Sequence, residues 1–271
     1  MDETGTSRLV IFTDLDGTLL DLKTYSYLPA LEALGRIIKG GVRLVFCSSK
    51  TRVEQQHLQE RIGIRDVMIV ENGSAVLIPP DRAPLHAESP APLEVIELGG
   101  SADRIRSELD AVRRELRLRF RGFTEIPLEE LCRLTDLDAE AALRAQTRQY
   151  SETIVGEMSG AEIGSLRDAL QSRGLSCIRG SRFHTVVSSK IDKGRAVRLV
   201  TVMIRNQKGD ISTAGIGDSR NDEPMLAAVD RPFLLQKPDE TWENIRLAQV
   251  TRVDGSGPVA WNRLVCRLLD E

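Results

Sequence analysis

Two acidic turns lie far apart in the chain, and each closes an apolar run. Asp14-Leu15-Asp16-Gly17-Thr18 follows Leu9-Val10-Ile11-Phe12, and Gly217-Asp218-Ser219-Arg220-Asn221-Asp222 follows the looser run Ile211 to Ile216. A short apolar run stopped by turn residues reads as a buried strand. Carboxylates at the C-terminal ends of such strands stand where open α/β sheets build their sites. Four acids converging there repel one another unless a cation intervenes. Hard oxygen ligands in that number favour Mg²⁺.

The segments after the first turn alternate. Tyr27 to Lys39 has helical spacing, with Leu28, Leu31, Leu34, Ile37 and Ile38 on one face, and Gly40-Gly41 ends it. Val42 to Cys47 reads as a second buried strand, and Thr51 can cap the helix that follows. Val67 to Val70 is a third strand, ending at Glu71-Asn72-Gly73, with Ala75 to Ile78 as a short return. Strand and helix in turn predict a parallel sheet, so the fold class is α/β with a Rossmann-like core.

The middle of the chain changes character. Asp81 to Pro92 is rich in Pro and Ala and reads as a linker. Val95 to Leu98 reads as a strand and Ala102 to Leu118 as a charged amphipathic helix. Two short helical pieces, a strand at Ser151 to Val155 and a helix at Ile163 to Gly174 follow. A hairpin turns across Gly180-Ser181-Arg182. These elements predict an α+β cap of residues 82–187 inserted into a core of residues 1–81 and 188–271. After it, Asp192-Lys193-Gly194 opens a helix through Met203. Trp242 and Trp261 read as packing residues.

Composition narrows the function. A net charge of −3 leaves no electrostatic footprint for nucleic acid or an anionic membrane. No apolar stretch reaches spanning length, and Met1 to Ser7 is a polar lead-in. Cys47, Cys132, Cys177 and Cys266 have no paired spacing, which argues against a disulfide framework or zinc site and fits a reducing cytoplasm.

Four separated motifs, in order, carry a family resemblance: Asp14-x-Asp16-x-Thr18, Ser48 after an apolar strand, Lys193 at a helix start, and Gly217-Asp218-x-x-Asn221-Asp222. The chain resembles the phosphatases of the haloacid dehalogenase superfamily. The resemblance implies that Asp14 attacks phosphorus and that Asp16 protonates the leaving alkoxide and then deprotonates water. It implies that Thr18 holds the loop, and that Ser48 and Lys193 bind the phosphoryl oxygens. Mg²⁺ is expected on Asp14, Asp218, Asp222 and the backbone carbonyl of Asp16, with Asn221 placed by the same turn. Lys190 competes for the lysine role. Lys193 is favoured because a helix N-terminus also helps bind anions.

A cap between the Ser48 and Lys193 motifs implies a lid that selects the substrate. Ser49-Lys50-Thr51-Arg52, Val70-Glu71-Asn72-Gly73, Arg148-Gln149-Tyr150-Ser151-Glu152 and Gly180-Ser181-Arg182-Phe183-His184 are similar to segments of the mannosyl-3-phosphoglycerate phosphatases. Such a substrate carries a phosphate, a carboxylate and a hexose. Arg182 and Arg148, with His184 nearby, are candidates for the carboxylate, which a guanidinium grips in bidentate fashion. Glu152 and Asn72 suit sugar hydroxyls, and Lys50 and Arg52 the phosphoglycerate end. Thr153-Ile154 departs from the family pattern, so a glucosyl analogue or sucrose 6-phosphate stays open. So do a phosphohexomutase and a catalytically silent binding protein, though the full set of acids argues against the last.

Overall fold

In the computed structural model, which describes residues 8–82, 93–180 and 182–271, the first apolar run forms β1 (Leu9–Thr13), buried along its last four residues. α1 (Leu31–Gly40) ends on Gly41 in the left-handed region (φ +61°), which turns the chain into β2 (Arg43–Cys47). α2 (Arg52–Ile62) starts on a capping box between Thr51 and Glu54. β3 (Met68–Val70) and β4 (Ala75–Ile78) make a tight antiparallel return, and β5 (Glu94–Glu97) pairs antiparallel with β4.

The inserted unit holds α3 (Ala102–Leu116), β6 (Arg121–Gly122), α4 (Leu128–Thr135), α5 (Ala139–Gln146), β7 (Glu152–Val155), α6 (Gly160–Gln171), β8 (Leu175–Arg179) and β9 (His184–Ser188). The chain returns to the core through α7 (Lys193–Lys208), β10 (Ser212–Gly217), α8 (Glu223–Leu226), β11 (Arg231–Gln236), β12 (Thr251–Ser256) and α9 (Gly257–Asp270).

The core sheet has the order β12-β11-β10-β1-β2-β3-β4-β5, parallel from β12 to β3. From β1 the chain departs toward β2 on one side and returns at β10 on the other. The C-terminal ends of β1, β2 and β10 therefore frame the crevice where strand order reverses. On one face of the sheet, Leu34 and Ile37 pack with Trp261 and Leu264. On the other, Ala196, Val197 and Val200 pack with Met225 and Leu226. Each fully buried Leu, Ile, Val or Met among them contributes about 1.5–3 kcal/mol.

The cap is a four-stranded antiparallel sheet, β6-β7-β9-β8. Ile154 and Val186 meet Ile105, Leu109, Leu166 and Leu170 of α3 and α6. Because β-strand side chains alternate and Glu152 pairs with Val186 and Ile154 with His184, those four residues share the helix-covered face. Thr153 and Thr185, also paired, share the opposite one. The architecture is thus the α/β core with an α+β cap that the sequence predicts. No helix among the described residues is long and apolar enough to cross a membrane.

Some expectations shift. The strand at 94–97 joins the core sheet through β4, so the boundary expected at residue 82 moves: core structure resumes before the cap begins near Ala102. The linker expected at 81–92 falls almost wholly outside the described residues, as does Ser181 of the cap hairpin turn. Pro29 starts a short 3-10 turn, Leu28–Ala30, ahead of α1. The buried face is consequently Ala30, Ala33, Leu34 and Ile37, and Leu28, Leu31 and Ile38 stay outside. Edge strand β12, Thr-Arg-Val-Asp-Gly-Ser, was absent from the sequence reading. Its polar composition is that of a protected sheet edge rather than a core strand.

Candidate active site

The acids converge because two glycines allow them to. Gly17 is left-handed (φ +83°), and a Cβ there would lie 2.6 Å from Asp218 Oδ2. At Gly217 a Cβ would lie 2.6 Å from Asp222 Cγ. The Asp14 amide donates to the Ile216 carbonyl of β10 at 2.9 Å, which joins the ends of the two strands. Asp222 Oδ2 accepts from the amides of Asp218 (3.1 Å) and Ser219 (3.0 Å), so this loop folds around its own acid. Thr18 Oγ1 donates to Asp218 Oδ1 at 3.0 Å.

Lys193 enters as the first residue of α7, where Asp192 caps the helix by accepting from the Arg195 amide. Its Nζ lies 2.6 Å from Asp14 Oδ1 and 2.6 Å from Asp222 Oδ1, and the side chain is 1 % exposed. Lys190 is exposed, and its carbonyl accepts from Arg195 Nη1. Ser48 is buried at the end of β2, its hydroxyl 3.4 Å from the Lys50 amide. Behind the site, Trp261 Nε1 donates to Thr13 Oγ1 (3.0 Å), which donates to the Asp14 carbonyl (2.8 Å). Trp261 thus packs and also braces the first acidic turn.

Burial and then the neighbouring Asp222 raise the Asp14 carboxyl to about 7, against the pull of Lys193. Burial, Asp222 and Asp14 raise Asp218 as well. Burial disfavours the Lys193 ammonium, but Asp14 and Asp222 outweigh it and hold the group charged. Asp14, Asp218 and Asp222 offer oxygens within 4.8 Å of one another. Three buried carboxylates, two of them reluctant to ionise, are a donor set that fits a hard divalent cation.

Above this cluster lies a chamber between core and cap. Asp16, Lys50, Asn72, Arg148, Arg182 and Asn221 all line it. Lys50 Nζ is 3.1 Å from Asp16 Oδ1 and 3.2 Å from Glu54 Oε1. Asn221 Nδ2 donates to Asn72 Oδ1 at 3.2 Å, which links the second acidic turn to the loop after β3. Arg148 Nη1 donates to the Ser49 carbonyl (3.2 Å) and to Ser151 Oγ (3.0 Å), while its buried Nε has no hydrogen-bond partner. Arg182 is engaged: it donates to the Thr135 and Leu134 carbonyls at the end of α4 and pairs with Asp136.

Three expected substrate residues are not brought to the chamber. Glu152, 1 % exposed, is on the helix-covered face and accepts from Arg106 Nε, Thr124 Oγ1 and the Phe123 amide. His184 shares that face, and burial, Arg167 and Arg179 lower its pKa. Arg52 turns along its own helix to Gln56 Oε1. The physical reason for the first two is strand alternation, which turns their neighbours Thr153 and Thr185 toward the chamber instead. Tyr25, Glu54 and Phe123 also line the chamber and were not anticipated. For the threonines, the period-2 pattern of β7 was the available signal.

The family model for haloacid dehalogenase-like hydrolases matches residues 11–97. A glucosyl-3-phosphoglycerate/mannosyl-3-phosphoglycerate phosphatase from Methanococcoides burtonii is 36 % identical over 264 residues, covering 96 % of this chain and 97 % of that protein. A protein of the same name from Persephonella marina is 35 % identical over 266 residues, with 97 % and 98 % covered. The crystal structure of a Thermoplasma acidophilum protein superimposes with a TM-score of 0.70 at 18 % identity, covering 98 % of this chain and 99 % of that one, and shows the shared fold.

Proposed function

The chain belongs to the haloacid dehalogenase-like hydrolases and is a phosphatase, and on that premise we propose that it hydrolyses a glycosyl-3-phosphoglycerate, the mannosyl or the glucosyl compound, with Mg²⁺. The names of its relatives support the substrate class. The observation that carries the reading is Arg148: a guanidinium at the chamber wall with an unpartnered buried Nε, above a buried Asp–Lys cluster. A substrate carboxylate would give that guanidinium a charged, bidentate partner, where a plain sugar phosphate would offer it hydroxyl oxygens.

In this reading Asp14 attacks phosphorus and forms an aspartyl phosphate while the glycosylglycerate oxygen departs. Asp16, at the boundary of cluster and chamber, gives that oxygen its proton and afterwards takes one from the attacking water. Lys193, already against Asp14, and Ser48 hold the phosphoryl oxygens. The cation would be held by Asp14, Asp218, Asp222 and the Asp16 carbonyl, and would neutralise the phosphate dianion so that a carboxylate can approach it. Asn72 and Asn221 offer amides to the hydroxyls.

The test is phosphate release with Mg²⁺ from mannosyl-3-phosphoglycerate, glucosyl-3-phosphoglycerate, sucrose 6-phosphate, mannose 6-phosphate and 3-phosphoglycerate. A kcat/KM for a glycosyl phosphoglycerate about tenfold above the rest, or ~1.4 kcal/mol of discrimination, is expected. A flat profile discards the substrate assignment and leaves the phosphatase chemistry in place. Arg148→Ala is expected to erase the preference for carboxylated substrates.

A further inference from the structure

Tyr25 lies in a segment that contributes nothing to the sheet, yet the segment is built to hold it. Asp21 Oδ1 accepts from the amides of Lys23 (3.1 Å) and Thr24 (2.8 Å), and the Tyr25 amide donates to the Asp21 carbonyl (2.9 Å). Tyr25 itself adopts φ +54°, a conformation uncommon for a bulky side chain and one that persists where surroundings impose it.

Its side chain touches both domains. The hydroxyl donates to the Thr135 carbonyl, the last residue of cap helix α4, at 2.9 Å. Arg182 Nη1 reaches the same carbonyl (2.9 Å) and the Tyr25 oxygen (3.4 Å). Helix C-terminal carbonyls need outside donors, and here the core supplies one of them. Burial keeps the phenol protonated, so it can donate. The ring, meanwhile, lies 5.2 Å from Lys50 Nζ, within the range of a cation–π contact. Lys50 sits between that ring, Glu54 and Asp16. Asp16 Oδ1 is buried and has no aligned hydrogen bond, so the Lys50 ion pair is what restrains it.

We infer that Tyr25 is a positioning residue for Asp16: through Lys50, it ties the orientation of the acid–base carboxylate to the seating of cap helix α4. When α4 withdraws, Tyr25 loses its hydroxyl partner and one wall of the Lys50 cage moves. Lys50 then keeps Glu54, its neighbour on α2, and Asp16 loses its restraint. Proton transfer to the leaving group is thereby reserved for the closed enzyme, which has expelled water from the chamber. The inference rests on the acid–base role given to Asp16 above and is independent of which phosphorylated sugar is cleaved.

The experiment compares Tyr25→Phe, Lys50→Met and the double variant. The substrates are the alkyl phosphate that the wild type hydrolyses best and p-nitrophenyl phosphate, whose leaving group departs without a proton. Using the best alkyl substrate separates this test from the substrate panel: a flat panel does not alter it. Tyr25→Phe is expected to lower kcat/KM for the alkyl ester about tenfold and for the aryl ester less than about twofold. In the Lys50→Met background it should add nothing. An equal loss on both esters, no loss on either, or a full additional loss in the Lys50→Met background overturns the proposal. The last pattern would mean that Tyr25 acts on the sugar or the cap alone.

Discussion

The Glu71 carboxylate lies 2.5 Å from the hydroxyl of Ser151, and both residues are sealed from solvent. Glu71 follows β3 of the core, and Ser151 immediately precedes β7 of the cap. The same carboxylate accepts from the amides of Gln149 (2.9 Å) and Tyr150 (3.1 Å). Tyr150 packs beside Met68, Val70 and Leu77 of the core. The cap is therefore held to the core by a chain segment in its middle as well as by its two connections. Arg148, next to this seam, owes its place to it. The loop is tight on its other side too, since a Cβ at Gly73 would lie 2.3 Å from the Asp192 carbonyl, just before Lys193.

Glu71→Ala strands two backbone amides and a hydroxyl in a dry seam. Each buried unsatisfied group costs about 1–3 kcal/mol, part of it recovered by water entry, so a net loss of about 2–4 kcal/mol is expected. Urea unfolding checks it. Glu71→Gln, which keeps acceptor capacity through its carbonyl, should lose less than half as much. Equal losses would show that charge, not hydrogen bonding, holds the seam.

Asp16→Asn should lower kcat for alkyl phosphates by about 10²–10⁴. Mg²⁺ affinity should stay within about twofold of wild type, because the Asp16 side chain faces Lys50 and the chamber rather than the three-carboxylate cluster. Calorimetric titration of the metal separates the two effects. A large fall in affinity would place that side chain on the cation.

The raised Asp14 and Asp218 carboxyls make stability and metal binding depend on pH in a definite direction. Between the unfolded-chain value near ~3.9 and the folded value for Asp14 of about 7, the folded protein binds more protons than the unfolded chain. The contribution of these two groups to the stability of the metal-free protein should therefore fall as pH rises through that window. Mg²⁺ should bind more weakly as pH falls below about 7 and should release protons on binding there. Thermal melts with and without Mg²⁺ across this range provide the check: the stabilisation by metal should be larger at pH 8 than at pH 5.

Neighbouring residues of β7 should respond oppositely to mutation. Glu152→Ala removes the acceptor of Arg106, Thr124 and Phe123, and should cost about 2–4 kcal/mol of stability with KM changed less than about twofold. Thr153→Val loses one hydroxyl contact, to Thr185 (3.1 Å), and should cost only about 0.5–1.5 kcal/mol. It also changes a chamber wall, so its effect should appear in KM. A Glu152 variant with normal stability and a raised KM would return that residue to the substrate list.

The floor of the site was legible in the sequence because it is local. Asp14, Asp16 and Thr18 share one turn, Asp218 to Asp222 another, and each follows a strand whose apolar run can be read directly. The walls were less so. The segment 148–152 reads as a unit, yet it divides where β7 begins: Arg148, in the turn before the strand, lines the chamber, and Glu152, on the strand's helix-covered face, turns to donors on α3 and in the 123–124 turn. Those donors are remote in sequence, so nothing near Glu152 announced that its oxygens were already taken. Tyr25 stands in the polar stretch Asp21 to Ser26, which has no periodicity. Its reach to α4 is a property of the assembled cap. Glu71 read as a turn residue for the same reason, its partners lying in the cap.

The two faces of the cap sheet have a consequence for how proteins of this shape diversify. Positions 152, 154 and 186 hold the cap together, and positions 153, 178 and 185 border the chamber. The groups assigned to the reaction stand on the other domain altogether. Substitutions at the chamber-facing positions can therefore accumulate one at a time, each altering what is accepted at a small cost to the scaffold and with the assigned reacting groups untouched. Selection acting on such a chain can explore new phosphate esters without passing through an inactive or unfolded ancestor.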